Sequence, residues 1–107
     1  METIRVVYIS IPRDEAKNLA KGIVENRLAA CVNIIPKIES FFWWDDNVQY
    51  DEEALLIVKT TDAKFSDMME YVLENHPYEL PEIIGLPLVA AFPDYVKYVK
   101  AETEKEV

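Results

Sequence analysis

The stretch Cys31-Val-Asn-Ile-Ile-Pro-Lys-Ile-Glu-Ser-Phe-Phe-Trp-Trp44, answered after Asp45-Asp46-Asn47 by Val48-Gln-Tyr-Asp-Glu-Glu-Ala-Leu-Leu-Ile-Val-Lys-Thr60, decides the fold. Both arms are rich in β-branched and aromatic residues and hold no glycine, which is strand composition, and the polar residues between them read as a turn. The spacing predicts one long hairpin from Ala30 to Thr60. Each arm can run to about a dozen residues against about 5–6 for an ordinary strand, so the distal half overhangs the core of a small domain. Strand parity puts Val32, Ile34, Ile38, Phe42 and Trp44 on one face, and Cys31, Asn33, Ile35, Lys37, Glu39, Phe41 and Trp43 on the other. Near the tip both faces are aromatic. A ribbon of this kind exposed on a monomer marks an interaction surface, and we read it as a site of self-association; a terminal segment of the same chain folding over it is the alternative.

Outside the hairpin the composition sets bounds. The 107 residues predict a single domain, 1–107, able to bury roughly two thirds of its unfolded surface. Half the residues are hydrophobic, with only two glycines and six prolines, which excludes disorder and fibrous repeats. Eleven basic residues against twenty acidic ones give a net charge of −9 with no basic stripe, so nucleic acid is not an expected partner, whereas cations are attracted. One cysteine excludes an intrachain disulfide, the N-terminus lacks a signal-peptide pattern, and no apolar run approaches the roughly 20 residues of a membrane span. A cytoplasmic protein without membrane contact is expected.

Working outward, Thr3 to Ser10 reads as a central strand, and Pro12 with Asp14-Glu15 as a helix start. Ala16, Leu19, Ala20, Ile23 and Val24 recur at helical spacing, and Asn26 can end that helix. Pro36 cannot donate to a ladder and belongs at a bulge or on an unpaired edge. Thr61 or Asp62 can cap a second helix with the stripe Phe65, Met68, Met69, Val72 and Leu73. A stiff connector from His76 to Pro81 leads to a last strand, 82–91, whose Gly85 and Pro87 point to a sheet edge. A short helix follows Pro93. The order is β-α-β-β-α-β with a trailing helix. This predicts an α+β, ferredoxin-like antiparallel sheet with a C-terminal helix and a long protruding hairpin.

Candidate chemistry is sparse. Cys31 and His76 are the soft metal ligands, with weak thioethers at Met1, Met68 and Met69. Two ligands do not close a tetrahedral site within one chain, but copies from several subunits, or added carboxylates such as Glu53 and Glu82, could form one for copper or another divalent ion. Cys31 also reads as a small buried strand residue, and His76 as a helix-terminal ring satisfying backbone groups. Lys59 either snorkels to the surface or points into a cleft with Tyr78 and Glu82. Asp51-Glu52-Glu53 reads as a solvated face. No nucleophile–histidine–acid set, phosphate loop or fixed carboxylate pair is present, so the chain does not read as an enzyme.

The residues Arg27-Leu-Ala-Ala-Cys-Val-Asn-Ile-Ile-Pro36, Ser40 with Trp44 near the tip, Glu53 ahead of Leu56-Ile-Val-Lys-Thr60, and His76-Pro-Tyr-Glu-Leu-Pro-Glu-Ile83 together resemble the CutA divalent-cation tolerance proteins. The resemblance covers nearly the whole chain in order. It implies a homotrimer of ferredoxin-like subunits, similar to the nitrogen-regulatory PII proteins, with the hairpins packed between neighbours. It further implies divalent-metal tolerance, with copper as the expected ion and no organic cofactor. By matching position, Cys31 and His76 are its candidate metal ligands, and Trp44, Lys59, Tyr78 and Glu82 its candidate cleft residues. Phe42 stands where the family commonly has tyrosine, Asp46 where glycine is usual at the tip, Ala91 near a common glycine, and Tyr98 where tryptophan is common. The expected function is a metal-responsive, non-catalytic homotrimer. The alternative is a PII-like regulatory module whose cleft takes a small anionic ligand or a protein partner, and a small enzyme of acylphosphatase type stands third.

Overall fold

The computed structural model describes residues 4–107. Met1 and Thr3, named above as a thioether and as the opening strand residue, lie outside them. The chain forms β1 (Ile4–Pro12), a single 3-10 turn at Arg13–Glu15, α1 (Ala16–Glu25), β2 (Cys31–Trp44), β3 (Asn47–Thr61), α2 (Asp62–Asn75), β4 (Ile83–Pro87) and α3 (Pro93–Glu104). The sheet order is β2-β3-β1-β4 with every neighbouring pair antiparallel. This is the expected ferredoxin-like arrangement, with the outgoing hairpin arm on one edge and the last strand on the other.

Alternation sorts the sheet into two faces. Val7, Ile9 and Ile11 of β1 lie beside Val58, Leu56 and Ala54 of β3, and all six are buried under α1 and α2. Helix α1 contributes Ala16, Leu19, Ala20 and Ile23, and α2 contributes Met68 and Val72. Each such aliphatic side chain is worth about 1.5–3 kcal/mol when fully removed from water. The apolar stripes are narrower than the sequence spacing predicts: Val24 and Leu73 face solvent, because each lies one position beyond the arc that touches the sheet. Gly85 lets α2 approach the β4 edge, since a Cβ there would meet the Phe65 ring at 3.1 Å.

Local signals place the boundaries. The Asn26 amide and side chain both donate to the Gly22 carbonyl, and Arg27 takes the left-handed φ of 59° that turns the chain out of α1. The Thr61 hydroxyl accepts from the Lys64 amide and caps α2. At the hairpin tip Asp45 and Asp46 have φ of 52° and 60°, the two consecutive left-handed residues of a type I′ turn, with aspartate doing at Asp46 what glycine does more easily. Helix α3 packs on the opposite sheet face at one end, where Val99 joins Ile4 and Ala30 in a second small core.

One expectation about the hairpin is corrected. Between Ile35 and Ile38 the register advances three residues on β2 but two on β3, so a β-bulge at Pro36-Lys37 inserts one residue. Arg13 Nε donates to the Pro36 carbonyl at 2.8 Å and ties the bulge to the start of the α1 segment. The extra residue reverses the alternation. Ile38, Ser40, Phe42 and Trp44 therefore share the face of Cys31, Asn33 and Ile35, not that of Val32 and Ile34.

Candidate functional site

The reversal gathers the aromatic end of the hairpin over the sheet face opposite α1 and α2. On that face, beyond the end covered by α3, Tyr8, Ile35, Phe42, Trp44 and Ile84 are each at least 36% exposed. No described segment of the chain folds over them. The connector after α2 crosses to the β4 edge at the same level as the hairpin arm. Between the two lies a groove of about 520 Å³, with Phe42 and Trp44 on the hairpin wall, Tyr78 and Leu80 on the connector wall, and Glu53 and Ser10 in the sheet.

Glu53 is the group around which the groove is built. It sits on β3 between Pro12 and Ile38 and is only 5% exposed. The Tyr78 hydroxyl donates to its Oε2 at 2.8 Å. Burial first, and then that carboxylate, push the Tyr78 phenol well above its ordinary range, so it stays a neutral donor. Among the described residues, the other carboxylate oxygen, Oε1, has no hydrogen-bond partner, yet no side-chain polar atom is both buried and unpaired. Oε1 therefore opens to the groove.

His76 holds this wall in place. Its Nδ1 accepts from the Tyr78 amide at 3.1 Å, which leaves the proton on Nε2, and Nε2–H donates to the Ser10 carbonyl at 2.7 Å. The ring is buried and tilted against Tyr78, with centroids 4.9 Å apart. In this conformation neither nitrogen offers a lone pair to a metal, and the reading of His76 as a ring that satisfies backbone groups describes what it does.

Cys31 lies elsewhere. It pairs across the ladder with Lys59, whose Nζ approaches its Sγ at 3.9 Å. Tyr95 of α3 is beside it: burial and the neighbouring thiol raise the Tyr95 phenol above its ordinary value. Lys59 and Glu53 are six residues apart on β3, which is about 20 Å at about 3.3 Å per residue. Of the expected cleft residues, Trp44, Tyr78 and Glu82 meet in the groove, while Lys59 stays with Cys31. Cys31 and His76 are likewise separated along the sheet, one level with Val6 and the other with Ser10. Among the described residues no three His, Cys, Asp or Glu side chains are placed to hold a metal ion together.

The groove has one sign. Asp51, Glu53, Glu79 and Glu82 line it, and no lysine or arginine does. An anionic ligand, the expectation that used Lys59 as its counter-charge, does not fit this wall. Sequence reading did not nominate Ser10, Phe42, Trp43, Asp51, Pro77, Glu79 or Leu80 as lining residues. The usable signal was Pro36, whose bulge turns Phe42 inward.

Comparisons with known proteins agree with this architecture. Residues 5–102 match the family model described as CutA1 divalent ion tolerance protein. The chain is 45% identical over 101 residues to Protein CutA 1, chloroplastic, of Oryza sativa subsp. japonica, covering 94% of this chain and 57% of that protein. It is 43% identical over 99 residues to the Divalent-cation tolerance protein CutA of Thermus thermophilus, covering 92% of this chain and 96% of that one. A solved structure of the PII-like protein CutA from a Nostoc species in apo form superposes with a TM-score of 0.89 at 28% identity, over 92% of this chain and 96% of that chain. The chain spans little more than half the length of the plant relatives it matches. Among the described residues no helix is long and apolar enough to cross a membrane.

Proposed function

Because the chain belongs to the family of CutA1 divalent ion tolerance proteins, we propose that it acts as a homotrimer that binds divalent cations and carries out no catalysis of its own. The observation that carries this reading is the uncovered apolar surface outside the groove, Tyr8, Ile35 and Ile84 on the open sheet face and Phe41 on the hairpin, together with the half-exposed Cys31. Such a face is stable in water when another subunit covers it. The number three comes from the resemblance to the CutA and PII-like trimers. A thiolate is a soft ligand and favours copper among the divalent ions. Among the described residues no three His, Cys, Asp or Glu side chains of one subunit come together, so the ion is held between subunits, with Cys31 as the ligand each one offers. The net charge of −9 favours its approach. We place the protein in the cytoplasm, the compartment in which a lone thiol stays reduced.

Light scattering with and without copper, beside a copper titration, tests this. The expected result is a metal-independent trimer whose copper binding is lost in Cys31→Ala. A monomeric mass, or copper binding that Cys31→Ala leaves unchanged, overturns it.

A further inference from the structure

We propose that the groove between the hairpin and the connector is a receptor for a small organic cation, an ammonium or guanidinium group carried on a short carbon frame. This goes beyond the metal reading and stands on the groove alone, at the other end of β3 from Cys31.

Three observations converge on that class of ligand. The first is Glu53, a carboxylate 5% exposed whose Oε2 is fixed by Tyr78 and whose Oε1 opens into the cavity. A buried carboxylate with one oxygen left free is a counter-charge awaiting a donor. The second is the pair of walls: Phe42 and Trp44 on one side and Tyr78 on the other offer aromatic faces, which attract a cation through their quadrupoles and the carbon frame through apolar burial. The third is the rim, where Asp51, Glu79 and Glu82 add negative charge and no basic residue opposes it.

The same inventory argues against a metal ion at this place. Aromatic walls supply no lone pairs, and the lining carboxylates are not grouped closely enough for three of them to meet one ion. A diffuse cation does not need them grouped. It needs one close oxygen, a negative rim and polarisable walls. A cavity of about 520 Å³ is of the size that encloses a small ligand of this kind.

The test uses the full chain in its natural oligomeric state, titrated by calorimetry with agmatine, which carries a guanidinium and an ammonium, and with glutarate as the anionic control. Agmatine binds with one site per subunit and glutarate does not. Glu53→Gln, which keeps size and can still accept from Tyr78, weakens agmatine at least tenfold, and Trp44→Ala does the same at unchanged oligomer mass. Either variant suffices if the other fails to fold. Absence of agmatine binding to the folded wild-type protein overturns the proposal. Equal affinity in Glu53→Gln overturns it too, as does displacement of agmatine by copper. Copper titration of the same samples separates the two readings: Cys31→Ala removes copper binding and leaves agmatine binding intact if both hold, and either can fail without the other.

Discussion

Replacing Tyr78 with phenylalanine removes one hydroxyl and leaves the ring, so it measures what the bond to Glu53 contributes. The Tyr78 Oη to Glu53 Oε2 distance is 2.8 Å, and the acceptor is a carboxylate almost wholly withdrawn from water. Hydrogen bonds to charged groups contribute about 1.5–3 kcal/mol. The phenol is half-buried and the groove admits water to the carboxylate once the hydroxyl is gone, so the expected loss is about 1–2 kcal/mol. In the Glu53→Gln background the bond is neutral and the same replacement costs about 0.5–1 kcal/mol. The assay is urea unfolding of wild type, both single variants and the double variant at one subunit concentration, because oligomer stability moves with concentration. Equal losses in the two backgrounds would mean that the hydroxyl acts through something other than the charge, and the account of the groove floor would fail. The pH profile gives an independent check. The folded phenol lies above its ordinary value of 10.0, so its stabilisation is complete below pH 10 and is lost as pH rises beyond it. The difference between wild type and Tyr78→Phe should be flat up to about pH 10 and shrink above it.

Two further outcomes follow from local geometry. Asp46→Gly relieves the left-handed backbone at φ 60° but adds unfolded-state freedom, so stability should stay within about 0.5 kcal/mol, whereas Asp46→Val should lose about 1 kcal/mol or more by thermal denaturation; equal midpoints for the two variants would contradict the type I′ assignment. Glu102 bonds to Lys105 Nζ and to Arg27 Nη1, the latter tying α3 to the turn after α1, and these cations hold its carboxyl below the usual value of 4.5. The tie is therefore present above pH 4.5 and lost as pH falls through the lowered folded value, so amide protection factors in α3, corrected for the intrinsic rate at each pH, should fall on acidification in wild type and show no such step in Glu102→Gln.

The order of elements was legible because each carries its own period: alternation in β1 and β3, helical spacing in α1 and α2, and end signals at Asn26 and Thr61. The limits of the stripes were not, because Val24 and Leu73 differ from their buried neighbours by less than one helical step, and only the sheet beneath decides which of them is covered. Of the site, Trp44, Tyr78 and Glu82 were nominated together and meet, since motif resemblance carries positions even where physics alone leaves them scattered. Lys59 was a cleft candidate as the cation that ends a very apolar strand and by matching position in the family. Neither reading fixes its place along the strand, and the ladder puts Lys59 beside Cys31. His76 could be read as ligand or as structural ring from sequence; in the structure the ring bonds to the Tyr78 amide, two residues on within the same motif, and to the Ser10 carbonyl, 66 residues away, which no local pattern announces.

The hairpin explains why a single irregularity governs the binding surface. Without the extra residue at Pro36-Lys37, Phe42 and Trp44 would continue the face of Val32 and Ile34, and Phe41 and Trp43 would turn toward the connector. The actual register instead puts Phe42 and Trp44 on the face of Glu53, beside Tyr78, and leaves Phe41 72% exposed on the reverse side, while Trp43, 73% exposed, still reaches the groove from the tip. The inward pair builds a wall that the connector of the same subunit faces, while on the reverse side Phe41, with Tyr50 tilted against it at 4.9 Å, forms an apolar patch that no described segment covers. A bulge tied by Arg13 to the chain before α1 thus sets that Phe42 and Trp44 turn toward the connector. Proline at position 36 contributes directly, because it has no amide to lose when the ladder is interrupted there.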